Sequence, residues 1–183
     1  MVSEKRYEEY AYVLDSFQKV GVRRGFKGTH VQLLGENYFT LLEAIAKEGA
    51  SLKPHDRVYI GRDHREEIAF IIGRINYDQL TAAAKLELPT AIEKIIANNE
   101  KKFVEFFNKA QAITPRMHAL ELIPGIGKRY MWQILNEREK KPFESFQDLQ
   151  DRTKIPNPIK LIAKRVLEEL MGETRYRLFT RSP

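Results

Sequence analysis

Ile123-Pro124-Gly125-Ile126-Gly127-Lys128 is the stretch of this sequence best suited to hold an anion. Two glycines one residue apart allow positive φ and the close approach of a second backbone. A helix beginning after them would present a row of N–H groups to one phosphate oxygen, with its dipole behind them. Lys128 and Arg129 place positive charge where that anion would sit. A Pro-Gly-x-Gly turn can also be a plain tight link between helices. The flanks argue for more. Met117, Leu120, Leu122 and Ile123 upstream, and Met131, Ile134 and Leu135 downstream, recur at helical spacing. Gly125, Ile126, Gly127, Lys128 and Arg129 are therefore the first candidate binding residues.

The stretch has a degraded copy 32 residues on, Ile155-Pro156-Asn157-Pro158-Ile159-Lys160. At the same shift Val166 and Leu167 fall on Ile134 and Leu135, and Leu149 falls on Met117. A repeat of this length implies one supersecondary unit used twice. The copy lacks what a phosphate needs. Pro158 has no N–H, and Ile159 stands where a glycine would allow close approach. It reads as a structural partner for the first hairpin. The pattern is similar to the helix-hairpin-helix, which in its families grips a nucleic-acid backbone without reading sequence. Those families carry a small residue four positions beyond the second glycine. Ala163 fills that place in the second copy, and Met131 stands there in the first.

A second basic candidate lies at residues 21–28. Arg23, Arg24 and Lys27 stand between glycines with Phe26. Arginine can meet phosphate while an aromatic ring stacks on a base. Tyr10, Tyr12, Phe39 and Tyr59 are further stacking candidates, although most aromatics of a small barrel are core. Catalytic chemistry has less support. There is no cysteine, so disulfides and thiolate metal sites are excluded. His30, His55, His64 and His118 lack metal-ligand spacing. Asp56, Asp63, Glu66 and Glu67 could in principle hold a metal. Arg57, Arg62 and Arg65 are interleaved with them, which suggests a salt-bridged turn. No cofactor, metal or enzymatic activity is expected.

The elements that would position these residues divide the chain. Segments 8–17, 30–34, 38–46, 57–60 and 68–75 are rich in aromatic and β-branched residues, with glycine or polar clusters between them. Five short strands suggest a small closed OB-like barrel over residues 1–80. Residues 81–112 read as a helical linker broken at Pro89, with Ile92, Ile95, Ile96, Phe103, Phe106 and Phe107 as its core stripe. Residues 113–172 would form an all-α domain of two hairpins. The tail, 173–183, would hold one more short strand at 175–180 and then run loose. The fold class is α+β. The 183 residues carry a formal net charge of +6. Residues 1–80 contain 12 basic and 12 acidic residues, and residues 81–183 contain 19 and 13, so the excess lies with the hairpins. A basic balance points to anionic partners. The N-terminus lacks an apolar signal segment and no run of about 18 apolar residues exists. A cytoplasmic protein with no membrane partner is expected.

The layout resembles a family of uncharacterised, mostly archaeal proteins classed as a domain of unknown function. The resemblance covers nearly the whole chain. It rests on Arg57-Val58-Tyr59-Ile60-Gly61, on Phe39-Thr40-Leu41-Leu42-Glu43-Ala44 and on Leu122-Ile123-Pro124-Gly125-Ile126-Gly127-Lys128. It implies an OB-like barrel followed by a tandem helix-hairpin-helix, and binding of RNA or DNA. A targeting subunit of a nucleic-acid-processing enzyme and a protein-interaction module are the alternatives. DNA or RNA, strandedness and oligomeric state stay open.

Overall fold

A computed structural model of the chain describes residues 7–19 and 27–181. Five strands form one antiparallel sheet: β1 (Tyr10–Gln18), β2 (Thr29–Gly35), β3 (Leu41–Ala46), β4 (Arg57–Tyr59) and β5 (Ile68–Arg74). Their spatial order is β4-β1-β2-β3-β5. Alternate residues face one core: Ala11 and Val13, Val31 and Leu33, Ala44 and Ala46, with Val58, Ile60 and Ile68. Three of these are alanines, and small side chains on the inner face let the sheet curl. Register breaks at Val13/Asp15 in β1, and at Ile72 and Ala69 of β5 opposite Glu43/Ala44 and Ile45/Ala46 of β3, add bend.

The expected closed barrel is instead a curled half-barrel. β4 pairs antiparallel with β1, and β5 with β3, so β4 and β5 run in the same sense. The short link at 60–67 cannot pair them, because parallel neighbours need a crossover of about a dozen residues or more. They remain the two edges of the sheet.

Helix α1 (Ala82–Asn98) starts at a threonine tied to the sheet. Thr81 Oγ1 accepts from the Ala84 N–H at 3.0 Å and donates to Asp15 at 2.6 Å. The Thr81 N–H donates to Gln32 Oε1 at 2.9 Å. Pro89 does not break this helix but sits inside it, on an exposed turn. Water can serve the carbonyl that proline leaves unbonded there. The break falls at Asn99, before α2 (Glu100–Lys109). Of the expected stripe, Ile92, Ile95, Ile96, Phe103 and Phe107 are buried and Phe106 is half-buried.

A two-stranded ribbon, β6 (Ala112–Thr114) and β7 (Met117–His118), leads to a 3-10 turn at Ala119–Leu122. Three helices follow: α3 (Lys128–Lys140), α4 (Phe146–Thr153) and α5 (Pro158–Leu170). Ser145 caps α4, its Oγ accepting from the Asp148 N–H at 2.9 Å. Among the described residues no helix is long and apolar enough to cross a membrane.

The chain forms two compact units. One comprises residues 1–91 and 169–183, the other residues 92–168. In the first, two buried glutamates staple loops. Glu8 accepts from the N–H groups of Asn37, Tyr38 and Thr40 and from Thr40 Oγ1. Glu169 accepts from the N–H groups of Leu178, Phe179 and Thr180 and from Thr180 Oγ1, at 3.0–3.1 Å. Residues 175–180 are therefore not a strand. Their backbone donors go to one carboxylate instead of a neighbouring strand. The Arg181 carbonyl beyond them is held by Arg74 and Arg177, and residues 182–183 lie outside the described residues. Glu169→Ala should destabilise the protein by about 3 kcal/mol, since it orphans buried donors. Exposed Glu173→Ala should cost under about 0.5 kcal/mol. Urea unfolding of both variants measures the difference.

Candidate nucleic-acid interface

The hairpin at 123–127 is fixed from behind and open in front. Ile123 and Ile126 are 1 % and 3 % exposed, so Ile126 offers a ligand its backbone only. The Ile126 N–H donates to the Ile123 carbonyl at 3.0 Å and closes the turn. Gly125 takes φ +90, and a Cβ there would lie 2.8 Å from Leu161 Cδ2. Arg165 on α5, 6 % exposed, donates to the Leu122 carbonyl at 3.1 Å. The two hairpins thus pack on each other through Gly125, Leu161 and Arg165. Gly127 differs from Gly125. Its φ is −85, and a Cβ there would meet nothing within 4 Å.

Gly127 is the N-cap of α3 and has no side chain to accept a bond. Among the described residues no acceptor takes the N–H groups of Gly127, Lys128, Arg129 or Tyr130. The first turn of α3 holds no acidic residue, and Lys128 and Arg129 are exposed in it. Helix starts ordinarily favour acidic residues. This one has bare amides and two cations.

The start of α5 is the opposite case. Asn157, at φ 34, turns its Oδ1 toward the Lys160 N–H, 3.3 Å away. Pro158 supplies no N–H. The second helix start is filled by its own side chain. Val166 and Ile134 are both fully buried, as the repeat requires. The upstream arms do not match, however. Where the second copy has α4, the first has the β7 strand and a 3-10 turn. Met117, Leu120, Leu122 and Ile123 are therefore not one helical face. The turn is capped by His118, whose Nδ1 accepts from the Leu120 N–H at 3.1 Å. Burial, then the nearby Arg138, hold the His118 pKa below its ordinary value against an opposing pull from Glu121.

In the first unit, Arg23, Arg24 and Phe26 lie outside the described residues. Lys27 is exposed. Tyr12 and Phe39 are core, at 5 % and 1 % exposure. Tyr10 and Tyr59 form a half-buried cross-strand pair, edge to face at 5.3 Å. Arg57 stacks 3.6 Å over Tyr10 and gives its edge to Glu36 through two bonds of 2.9 Å. The interleaved arginines thus do not bridge the acidic cluster. Arg62 stacks on Tyr7, and Arg65 donates to the Gly61 carbonyl at 2.9 Å. Arg62, Arg65, Arg74 and Arg181 line one groove of about 570 Å³ with Tyr7 and Glu8. Arg74 and Arg177 both donate to the Arg181 carbonyl, at 2.9 and 3.0 Å. Burial and then the charges of Arg177 and Arg181 lower the Arg74 pKa. Sequence reasoning missed this groove, because only the stapled tail brings Arg181 to Arg74. Among the described residues no three His, Asp or Glu side chains gather where a metal could bind. His30 pairs with Glu43 at 3.0 Å, and His55 with Glu87 at 2.6 Å.

Comparisons with known proteins agree with one another. The family described as "Protein of unknown function (DUF655)" matches residues 7–181. The chain is 41% identical over 179 residues to "Uncharacterized protein MJ0038" of Methanocaldococcus jannaschii, covering 97% of this chain and 82% of that one. It is also similar to the crystal structure of Af1531 from Archaeoglobus fulgidus, placed in DUF655. That match has 47% identity and a TM-score of 0.86, and covers 95% of this chain and 100% of the other. Both relatives are archaeal, as the sequence resemblance implied.

Two predictions follow from the hairpin geometry. Gly125→Ala should cost about 1–2 kcal/mol from its left-handed backbone, while Gly127→Ala stays near wild type in thermal unfolding. His118 must be neutral to accept from Leu120. Its folded pKa lies below the unfolded value of about 6.5, so its stabilisation is whole above that pH and fades as pH falls below it. His118→Asn keeps an acceptor, so the unfolding midpoint should fall less between pH 7 and pH 5.5 than in wild type.

Proposed function

This chain belongs to the DUF655 family, and we propose that it binds nucleic acid, holding a backbone phosphate on the hairpin at residues 123–128. The observation that carries this reading is the contrast between two helix starts in one small unit. The start of α5 is closed by Asn157 and Pro158, whereas that of α3 has bare amides beside Lys128 and Arg129. Unbonded amides at a helix start are suited to an oxyanion. We read the second unit as a tandem helix-hairpin-helix whose first arm has shrunk to a 3-10 turn. The half-barrel is compatible with an OB-like fold. Its arginine groove and the basic loop at Arg23, Arg24, Phe26 and Lys27 are the second contact in this reading. Arg62, stacked on Tyr7, keeps a flat N–H edge for phosphate.

Binding to single- and double-stranded DNA and RNA, followed by fluorescence anisotropy at two salt concentrations, tests the reading. Gly127→Val should weaken binding with the fold intact, because a side chain there fills the open space before the amides. Lys128→Ala should lower affinity evenly across sequences and reduce the salt slope by about one. Lys160→Ala should matter less than Lys128→Ala. Unchanged binding in Gly127→Val and Lys128→Ala would contradict the proposal.

A further inference from the structure

The chain has a single tryptophan, and it stands one helical turn after Lys128 on α3. Trp132 is 57 % exposed. A tryptophan left this open forfeits the burial that makes its ring valuable in a core, and tryptophan is a residue type enriched at interfaces. It forms one wall of a groove of about 470 Å³ between the first half of α3 and the β6–β7 ribbon. Met117, Met131 and Leu135 make the groove apolar, and Arg116 and Lys128 give it charge. The volume lies in the range of small-molecule sites. Lys128 both lines the groove and opens α3, so the groove adjoins the bare amides of the hairpin.

We propose that this groove takes an unpaired base, stacked on Trp132, from the strand whose phosphate the hairpin holds. The groove then engages a single-stranded or extruded nucleotide, which an uninterrupted duplex held by the hairpin alone does not offer. The inference rests on the phosphate reading of the hairpin. Charge selects this occupant over an apolar peptide, since Arg116 and Lys128 line the groove. Glu121, the acidic residue of the groove, already accepts from the His118 N–H at 3.0 Å. Chemistry selects it as well. A base is flat and aromatic, and indole and thioether are good surfaces for it. His118 also lines the groove. Its Nδ1 accepts from Leu120, so its ring proton sits on Nε2 as a donor for a base edge.

The lone tryptophan is its own reporter. Full-length protein is titrated with a 12-nucleotide oligothymidylate and with a 12-base-pair duplex, reading indole emission and anisotropy together. The single strand should quench Trp132 in step with binding, and the duplex should bind without quenching. Trp132→Ala should weaken single-strand binding about 5- to 100-fold and leave duplex binding unchanged. Trp132→Phe should recover part of the loss. Gly127→Val should weaken both substrates. If Gly127→Val weakens both and Trp132→Ala neither, the groove proposal is overturned and the hairpin reading stands. If Gly127→Val weakens neither, the hairpin reading itself fails. Emission that shifts with protein concentration alone would show that a second copy of the chain fills the groove, and would overturn the proposal too.

Discussion

The contact of Gly125 with Leu161 is the constraint on which the rest of the second unit depends. A helix start can stay without acceptors only if something else fixes its position. Here Gly125 takes a left-handed backbone and lies so near Leu161 that no Cβ fits without displacement. Ile123 and Ile126 are buried on either side, and Arg165 holds the Leu122 carbonyl. The turn is thus held by its inner surface alone. Its outer surface, from Gly127 to Arg129, is free to be chemically unsatisfied. Unsatisfied amides facing water cost little, but they are ready for an anion without rearrangement, which is preorganisation.

The two units solve an electrostatic problem in opposite ways. In the first, Glu8 and Glu169 each collect three backbone N–H groups and a threonine hydroxyl. A carboxylate used in this way shapes a loop. The tail fixed by Glu169 then carries Arg177 and Arg181 to Arg74, so a stabilising contact also concentrates positive charge. In the second unit, charge gathers at a helix start that local rules would make acidic. Both arrangements gather positive charge that an anion would offset, in keeping with the idea that local conflicts collect at functional places.

Much of this was legible in the sequence where the signal is local. All five strands lie where β-rich segments alternate with glycine and polar clusters. The repeat lays Val166 on Ile134, and both are buried; Ile126, read as a binding residue, is instead core and leaves only its backbone to a ligand. The misses arise where solvent exposure, a local cap or a long-range contact overrides local propensity. Pro89 reads as a break, yet on an exposed turn it is tolerated. Residues 175–180 read as a strand, yet a buried carboxylate takes their donors. The apolar spacing upstream of the hairpin suggests a helix, yet His118 caps a 3-10 turn there. Closure of the barrel failed because strand direction is not written in composition. Trp132 had a usable signal, for it falls off the stripe of Met131, Ile134 and Leu135 and onto the face of Lys128. The arginine groove had none, since Arg62 and Arg181 are far apart in sequence.

The most direct measurement of the central claim is an amide chemical-shift titration of the isotopically labelled protein with short nucleic-acid strands. The amides of Gly127, Lys128 and Arg129 should move first and furthest, with their exchange slowed. The amides at the start of α5, Ile159 and Lys160, should stay in place. Equal shifts at both helix starts, or shifts at neither while binding proceeds, would contradict the account.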